Sequence, residues 1–201
     1  VASRTGEGYG WANRKRRDAW LTAEDRGAAG VLIRSVGTST HRFPHTGMMS
    51  FPEGRRPQIP VLAVSAPDAD QIERIQRSGR ALTVRMETHA GWRGEGRSGN
   101  VIAEIPGRES PEEIVIIGGH LDSWDLGTGA LDDGAGVAIT VAAAQLIATL
   151  PERPRRTVRV VMFGAEEVGL RGAIAYARAR EADGTLADHV SKLRSDADPL
   201  S

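Results

Sequence analysis

Two β-branched runs constrain the C-terminal half of this chain more than any other feature. EEIVIIGGH (residues 112–120) and TVRVVMFGAEE (157–167) are apolar, short and bounded by glycine, which reads as buried β-strand. Between them lies VAITVAAAQLIATL, within a helix expected over Gly134–Leu150. It is apolar almost all round, so it is expected to be buried. NVIAEIPG precedes these elements as a further strand, separated from the next by the polar turn GRESP. VGLRGAIAYARARE follows as a helix. The order strand, strand, helix, strand, helix predicts a layered α/β unit with its sheet covered on both faces. In such sheets functional residues collect at the carboxyl ends of the strands. His120 and Glu166-Glu167 stand directly after apolar strands.

A smaller α/β region precedes this unit. AEDRGAAGVLIRSV reads as a helix end, then Gly30, then a buried strand at Val31–Val36. IPVLAVS (Ile59–Ser65) reads as a second strand, and APDADQIERIQRSG as a helix whose start is marked by Ala66-Pro67-Asp68. ALTVRMETHA (Ala81–Ala90) alternates as a half-buried strand does. GWRGEGRSG (91–99) has the composition of a linker. The opening residues 1–20 are rich in glycine and arginine and poor in apolar side chains. Their Gly6, Gly8 and Gly10 spacing is a weak phosphate-loop signal, because no strand precedes it.

Composition excludes several functions. Lysine plus arginine and aspartate plus glutamate balance at 26 each, which argues against a nucleic-acid partner held through phosphates. The chain has no cysteine, so thiolate metal sites, disulfides and cysteine nucleophiles are excluded. Val137–Leu150 is too short for a membrane span. The chain starts with valine, which suggests processing or a longer parent.

The segment GGHLDSWDLGTGALDDGAG (118–136) places one histidine among four aspartates. Residues two apart in an extended chain face the same way, so Asp122 is positioned to take the second N–H of a ligating His120. Asp132-Asp133 reads either as metal ligands or as the acidic start of a helix. Glu166-Glu167 carries the same ambiguity alone. Adjacent residues point in different directions, so one can bind a metal while the other faces a water. Together, a histidine, an aspartate pair and a glutamate pair at successive strand ends point to a divalent-metal site. Imidazole with carboxylates suits zinc, with Co2+ or Mn2+ as alternatives. Two such ions could share a hydroxide, with a carboxylate as general base. Trp124 lies in the same loop, either walling the site or packing.

GGHLDSWDLGTGALDDGAG followed by FGAEEVG resembles the M28 family of zinc-dependent exopeptidases, and within it the carboxypeptidase Q type. GVLIRSVGTSTHRFPHTGM and IPVLAVSAPDADQIERI resemble the protease-associated (PA) domain joined to such enzymes. The resemblance implies a partial three-layer aminopeptidase-like domain over residues 99–201, preceded by a PA-like α/β domain over residues 1–98. It implies two zinc ions per complete site and a short peptide or dipeptide as substrate. By this resemblance His120, Asp132, Glu167 and Asp196 are metal ligands, Asp132 bridging the two ions. Glu166 is the general base, and Asp122 orients His120. Asp196 follows Arg194, where the family carries glutamate, and the family's last histidine ligand lies further downstream. The chain is therefore expected to be truncated at both ends, to bind fewer ions alone and to be nearly inactive. A secreted or periplasmic location is implied, and a homodimer is left open. M20-type metal amidohydrolases share the histidine, aspartate and glutamate-pair pattern and form the alternative enzyme class. An inactive fragment acting only as a PA-type interaction or metal-binding module is the non-enzymatic one.

Overall fold

The computed structural model describes residues 7–91 and 93–182. The chain divides into two compact units, Val1–Gly94 and Glu95–Ser201, and the division falls inside the glycine-rich 91–99 segment.

In the first unit, α1 (Tyr9–Asp25) leads into β1 (Val31–Arg34). A short 3-10 turn (Pro52–Gly54), β2 (Val61–Val64) and α2 (Ala66–Arg77) follow. β1 and β2 pair in parallel, Val31 opposite Val61. Ser65 caps α2: its hydroxyl accepts the Asp68 N–H at 3.2 Å, with Pro67 in the first turn.

Only the end of helix α1 was legible in the sequence, which offers few apolar residues before it. Arginine and lysine are nonetheless good helix formers. Ala12, Arg16 and Trp20, each four residues apart, give the helix one inward stripe. Trp20 is fully buried and its indole donates to the Ser50 carbonyl at 3.1 Å. Arg16 donates to the Thr46 carbonyl at 3.0 Å. Gly8 precedes the helix at φ 77° and Gly27 follows it at φ 73°, a left-handed conformation that glycine adopts at little cost.

The strand expected over Ala81–Ala90 is not formed. Alternation favours an extended chain, but a strand also needs a ladder partner, and none pairs with this segment among the described residues. Leu82 and Val84 are left exposed, while the Met86 side chain lies against Gly30.

The second unit contains β3 (Val101–Ile105), β4 (Ser110–His120), α3 (Gly136–Ala148), β5 (Arg156–Phe163) and α4 (Arg171–Ala182). The sheet order is β3-β5-β4. β5 is central, antiparallel to β3 and parallel to β4. Its Val158 and the adjacent Val160, Val161 and Met162 are buried, as expected of a strand packed on both faces. The β4–α3–β5 connection is the helical crossover that a parallel pair requires. Tyr176 of α4 packs edge-on against Phe163, with ring centroids 6.0 Å apart, and its hydroxyl accepts from Arg159 at 2.7 Å.

Helix α3 corrects an expectation. It lies on β4 and β5, and Thr140 bonds the Gly118 carbonyl at 3.3 Å, but Thr140 is its only buried residue. Ile139 and Leu146 are largely exposed. An all-round apolar helix is buried only when neighbours cover every face, and among the described residues the sheet covers one. Counted with the preceding turn, Ala130–Ala148 is long and apolar enough to pass for a membrane span. Asp132 and Asp133 break the helical backbone there, however. The regular helix of 13 residues is about 20 Å long, against about 30 Å of bilayer core.

Candidate metal centre

The site forms where two parallel strands end level with each other. His120 closes β4 directly opposite Phe163, which closes β5. The next residues after β5, Gly164-Ala165-Glu166-Glu167, therefore turn beside His120. This turn is pinned to α4. The Asn100 side chain accepts the Gly164 N–H at 3.0 Å and donates to the Gly172 carbonyl at 2.9 Å.

His120, Glu166 and Glu167 each present a ligand atom, all lying within 4.8 Å of one another. The ring's Nδ1 lies 2.9 Å from the Asp122 carbonyl oxygen. A carbonyl only accepts, so Nδ1 carries the proton and Nε2 turns toward the acids. Nε2 lies 3.0 Å from Asp132 Oδ1 and 3.9 Å from Glu166 Oε2. Asp132 thus adjoins the cluster through His120, with its carboxylate largely exposed.

Asp122 acts differently from the sequence expectation. Its carboxylate is 3.8 Å from Nδ1, and the ring is held by the Asp122 backbone carbonyl instead. The two carboxylate oxygens accept the N–H groups of Glu166 at 2.9 Å and Glu167 at 3.0 Å. The physical reason is that two adjacent backbone donors in a turn match the two oxygens of one carboxylate.

Asp133 is likewise not a helix cap. The Asp132–Asp133 peptide is cis, and α3 has no side-chain cap. Asp133 Oδ2 accepts the His120 N–H at 2.9 Å. Gly119 permits this approach, since a Cβ there would meet that oxygen at 2.5 Å. Asp196 lies outside the described residues.

The electrostatics suit a cation. Burial lowers the His120 pKa, but its hydrogen bonds to the Asp122 carbonyl and Asp132, and the nearby Glu166 charge, leave it above the ordinary imidazole value. Burial raises the Asp122 carboxyl, yet the Glu166 and Glu167 N–H groups hold it below the usual range. Glu167 is pushed up by burial; the Trp124 N–H opposes this, and the charges of Asp132 and Glu166 add to it. Three carboxylates around one imidazole thus carry a repulsion that a divalent ion would relieve.

Residues 100–193 match the family described as Peptidase family M28. The chain belongs to peptidase family M28. Among M28-related proteins, carboxypeptidase Q of Pongo abelii is 41% identical over 161 residues, covering 80% of this chain and 34% of that protein. Carboxypeptidase Q of Bos taurus is 38% identical over 175 residues, covering 87% and 37%. The chain thus spans little more than a third of the length of these relatives. The crystal structure of a peptidase M28 precursor from Shewanella amazonensis superposes with a TM-score of 0.85 at 48% identity, covering 90% of this chain and 41% of that one. A zinc aminopeptidase from Bacillus subtilis shares the fold, with a TM-score of 0.50 at 24% identity over 80% of this chain and 36% of that one.

Three features of this M28 site escaped sequence reasoning. They are the grip of Asp122 on the glutamate turn, the Asp133 contact to His120, and a hydrogen bond from the Trp124 indole to Glu167 Oε2 at 2.7 Å. All three span 13 or more residues, so no local pattern encodes them. Only the x-Asp-x-Trp spacing after His120 carried a hint, by placing both side chains in one loop.

Proposed function

We propose that this chain carries part of the active site of a zinc-dependent exopeptidase that hydrolyses short peptides or dipeptides. The observation that carries this reading is the convergence of His120, Glu166 and Glu167 within 4.8 Å at the ends of β4 and β5. An imidazole nitrogen with carboxylate oxygens is a donor set that fits zinc. His120 and Glu167 are the proposed ligands, with Asp132 joining on the same Nε2 edge of the imidazole and Asp196 as a further candidate. When bound, zinc would lower the pKa of a water and polarise the peptide carbonyl.

Glu166 is the proposed general base. Its carboxylate lies beside the ligand cluster, and its N–H is fixed by Asp122. It takes the proton from the attacking water and delivers it to the leaving amine, so it ends the cycle unchanged. Asp122 sets the direction of both glutamates by holding their two N–H groups at once. His120 Nδ1 stays protonated on a carbonyl, which keeps Nε2 available. Residues 1–98 are proposed as a PA-like domain that precedes this catalytic part in the sequence, and an exported location follows from the family resemblance. Membership of M28 favours this reading over the M20-type alternative.

The test pairs zinc binding with dipeptide hydrolysis in a form of the protein that turns over. Glu166→Gln is expected to keep zinc and lose activity by about 10²–10⁴-fold, the range for a proton-transfer group. Activity retained in that variant removes Glu166 as the base.

A further inference from the structure

Trp124 is half-buried in the loop after β4, and its indole N–H points at the carboxylate of a residue 43 positions away. An indole has one N–H and no acceptor. Here that donor is spent on Glu167 Oε2 at 2.7 Å, which is short for a neutral donor and typical of a charge-assisted bond.

The same loop holds the other end of Glu167, whose backbone N–H is accepted by Asp122 Oδ2 at 3.0 Å. Two side chains of one loop, two residues apart, therefore fix Glu167 at its main chain and at its carboxylate. Glutamate has three rotatable side-chain bonds and among the larger rotamer entropies to lose on ordering. The indole bond holds one carboxylate oxygen, and Glu167 offers a carboxylate oxygen to the cluster that also contains His120 and Glu166.

We propose that Trp124 is a positioning residue that pre-orders the Glu167 carboxylate for metal binding. This rests on the reading of Glu167 as a metal ligand. Trp124 acts through Glu167, which its indole N–H bonds. Loss of a group that orients a ligand typically weakens metal binding about 10–100-fold.

The experiment uses the 201-residue chain and zinc alone, with dissociation constants taken by competition against a chromophoric chelator. Trp124→Phe keeps the aromatic volume and removes the donor. Its zinc affinity is expected to fall about 10–100-fold, the range for a group that orients a ligand. In a Glu167→Ala background the same substitution is expected to change affinity by less than about 2-fold, because the coupling is between the two residues. A measurement on the unsubstituted ring gives an independent check. The Trp124 indole N–H resonance is expected to move on adding zinc, and in metal-free Glu167→Ala to return to the position of an unbonded indole.

Three results overturn the proposal. Wild-type affinity in Trp124→Phe shows that the donor is irrelevant while leaving the metal reading intact. An equal loss in the Glu167→Ala background shows that Trp124 does not act through Glu167. A wild-type chain that takes up no zinc removes the metal reading itself, and the positioning role with it.

Discussion

Asp122→Asn tests the framework of the site without removing any proposed ligand. The Asp122 carboxylate accepts two backbone N–H groups, from Glu166 at 2.9 Å and Glu167 at 3.0 Å. Asparagine keeps one acceptor oxygen and turns an NH2 group toward the second N–H, so one bond is lost and one donor is left unsatisfied. Hydrogen bonds to charged groups contribute about 1.5–3 kcal/mol. The carboxylate is 29% exposed, so the lower part of that range applies. The turn should loosen by about 2 kcal/mol, equivalent to roughly 30-fold in local opening. The assay is amide hydrogen exchange at Glu166 and Glu167, compared between wild type and variant. The pH dependence follows from the lowered Asp122 pKa. A carboxyl whose folded pKa is depressed contributes its full stability above the unfolded value of about 3.9. That contribution is lost as pH falls through the lower folded value. The difference between the two proteins should hold steady from neutral pH to about pH 4 and shrink below it. Equal protection of both amides at neutral pH refutes the assignment of Asp122 to the glutamate turn.

Further outcomes follow from the same geometry. Zinc must displace the proton from His120 Nε2, whose pKa is raised in the metal-free chain. Zinc affinity should therefore fall as pH drops through that raised value, by about tenfold per pH unit for one proton released, and competition titrations between pH 5 and 9 would show a flat profile if His120 is not a ligand. Trp20→Ala should destabilise the first unit by about 3–5 kcal/mol, since a fully buried indole is removed; thermal unfolding with a marginal shift would contradict its place as the anchor of α1. Gly119→Ala sets a Cβ 2.5 Å from Asp133 Oδ2 and 3.2 Å from the Val137 nitrogen. Overpacking of this kind costs about 1–3 kcal/mol, and it should weaken zinc binding by displacing the loop that bonds His120; unaltered binding and stability would show that the loop can move aside.

The sequence carried those parts of the fold where one physical signal dominates. β4 and β5 were legible as strands because β-branched runs suit a pleated sheet, but only β5 is buried as expected; Val115 and Ile116 of β4 stay exposed. α2 was legible from Ser65 and Pro67, a cap and a first-turn proline. Only the end of α1 was, because the anchoring of the rest depends on Trp20 and Arg16 reaching carbonyls 30 residues away. The extended segment at Ala81–Ala90 failed as a strand for the converse reason: its alternation is local, but pairing is not. At the site, residue types and strand-end positions identified His120, Glu166 and Glu167 as chemistry-bearing. What they could not reveal was the division of labour among the acids. Asp122 and Asp133 spend their carboxylates on backbone N–H groups, and such bonds depend on turn geometry rather than on spacing.

The central claim is that His120 and Glu167 meet at the strand ends to hold zinc, with Glu166 beside them as the base. Isothermal titration of zinc into the metal-free 201-residue chain and into His120→Ala tests it most directly. The account predicts saturable binding by the wild type and a loss of at least about 100-fold in His120→Ala, beyond what an orienting residue alone supplies. Identical isotherms for the two proteins would contradict it.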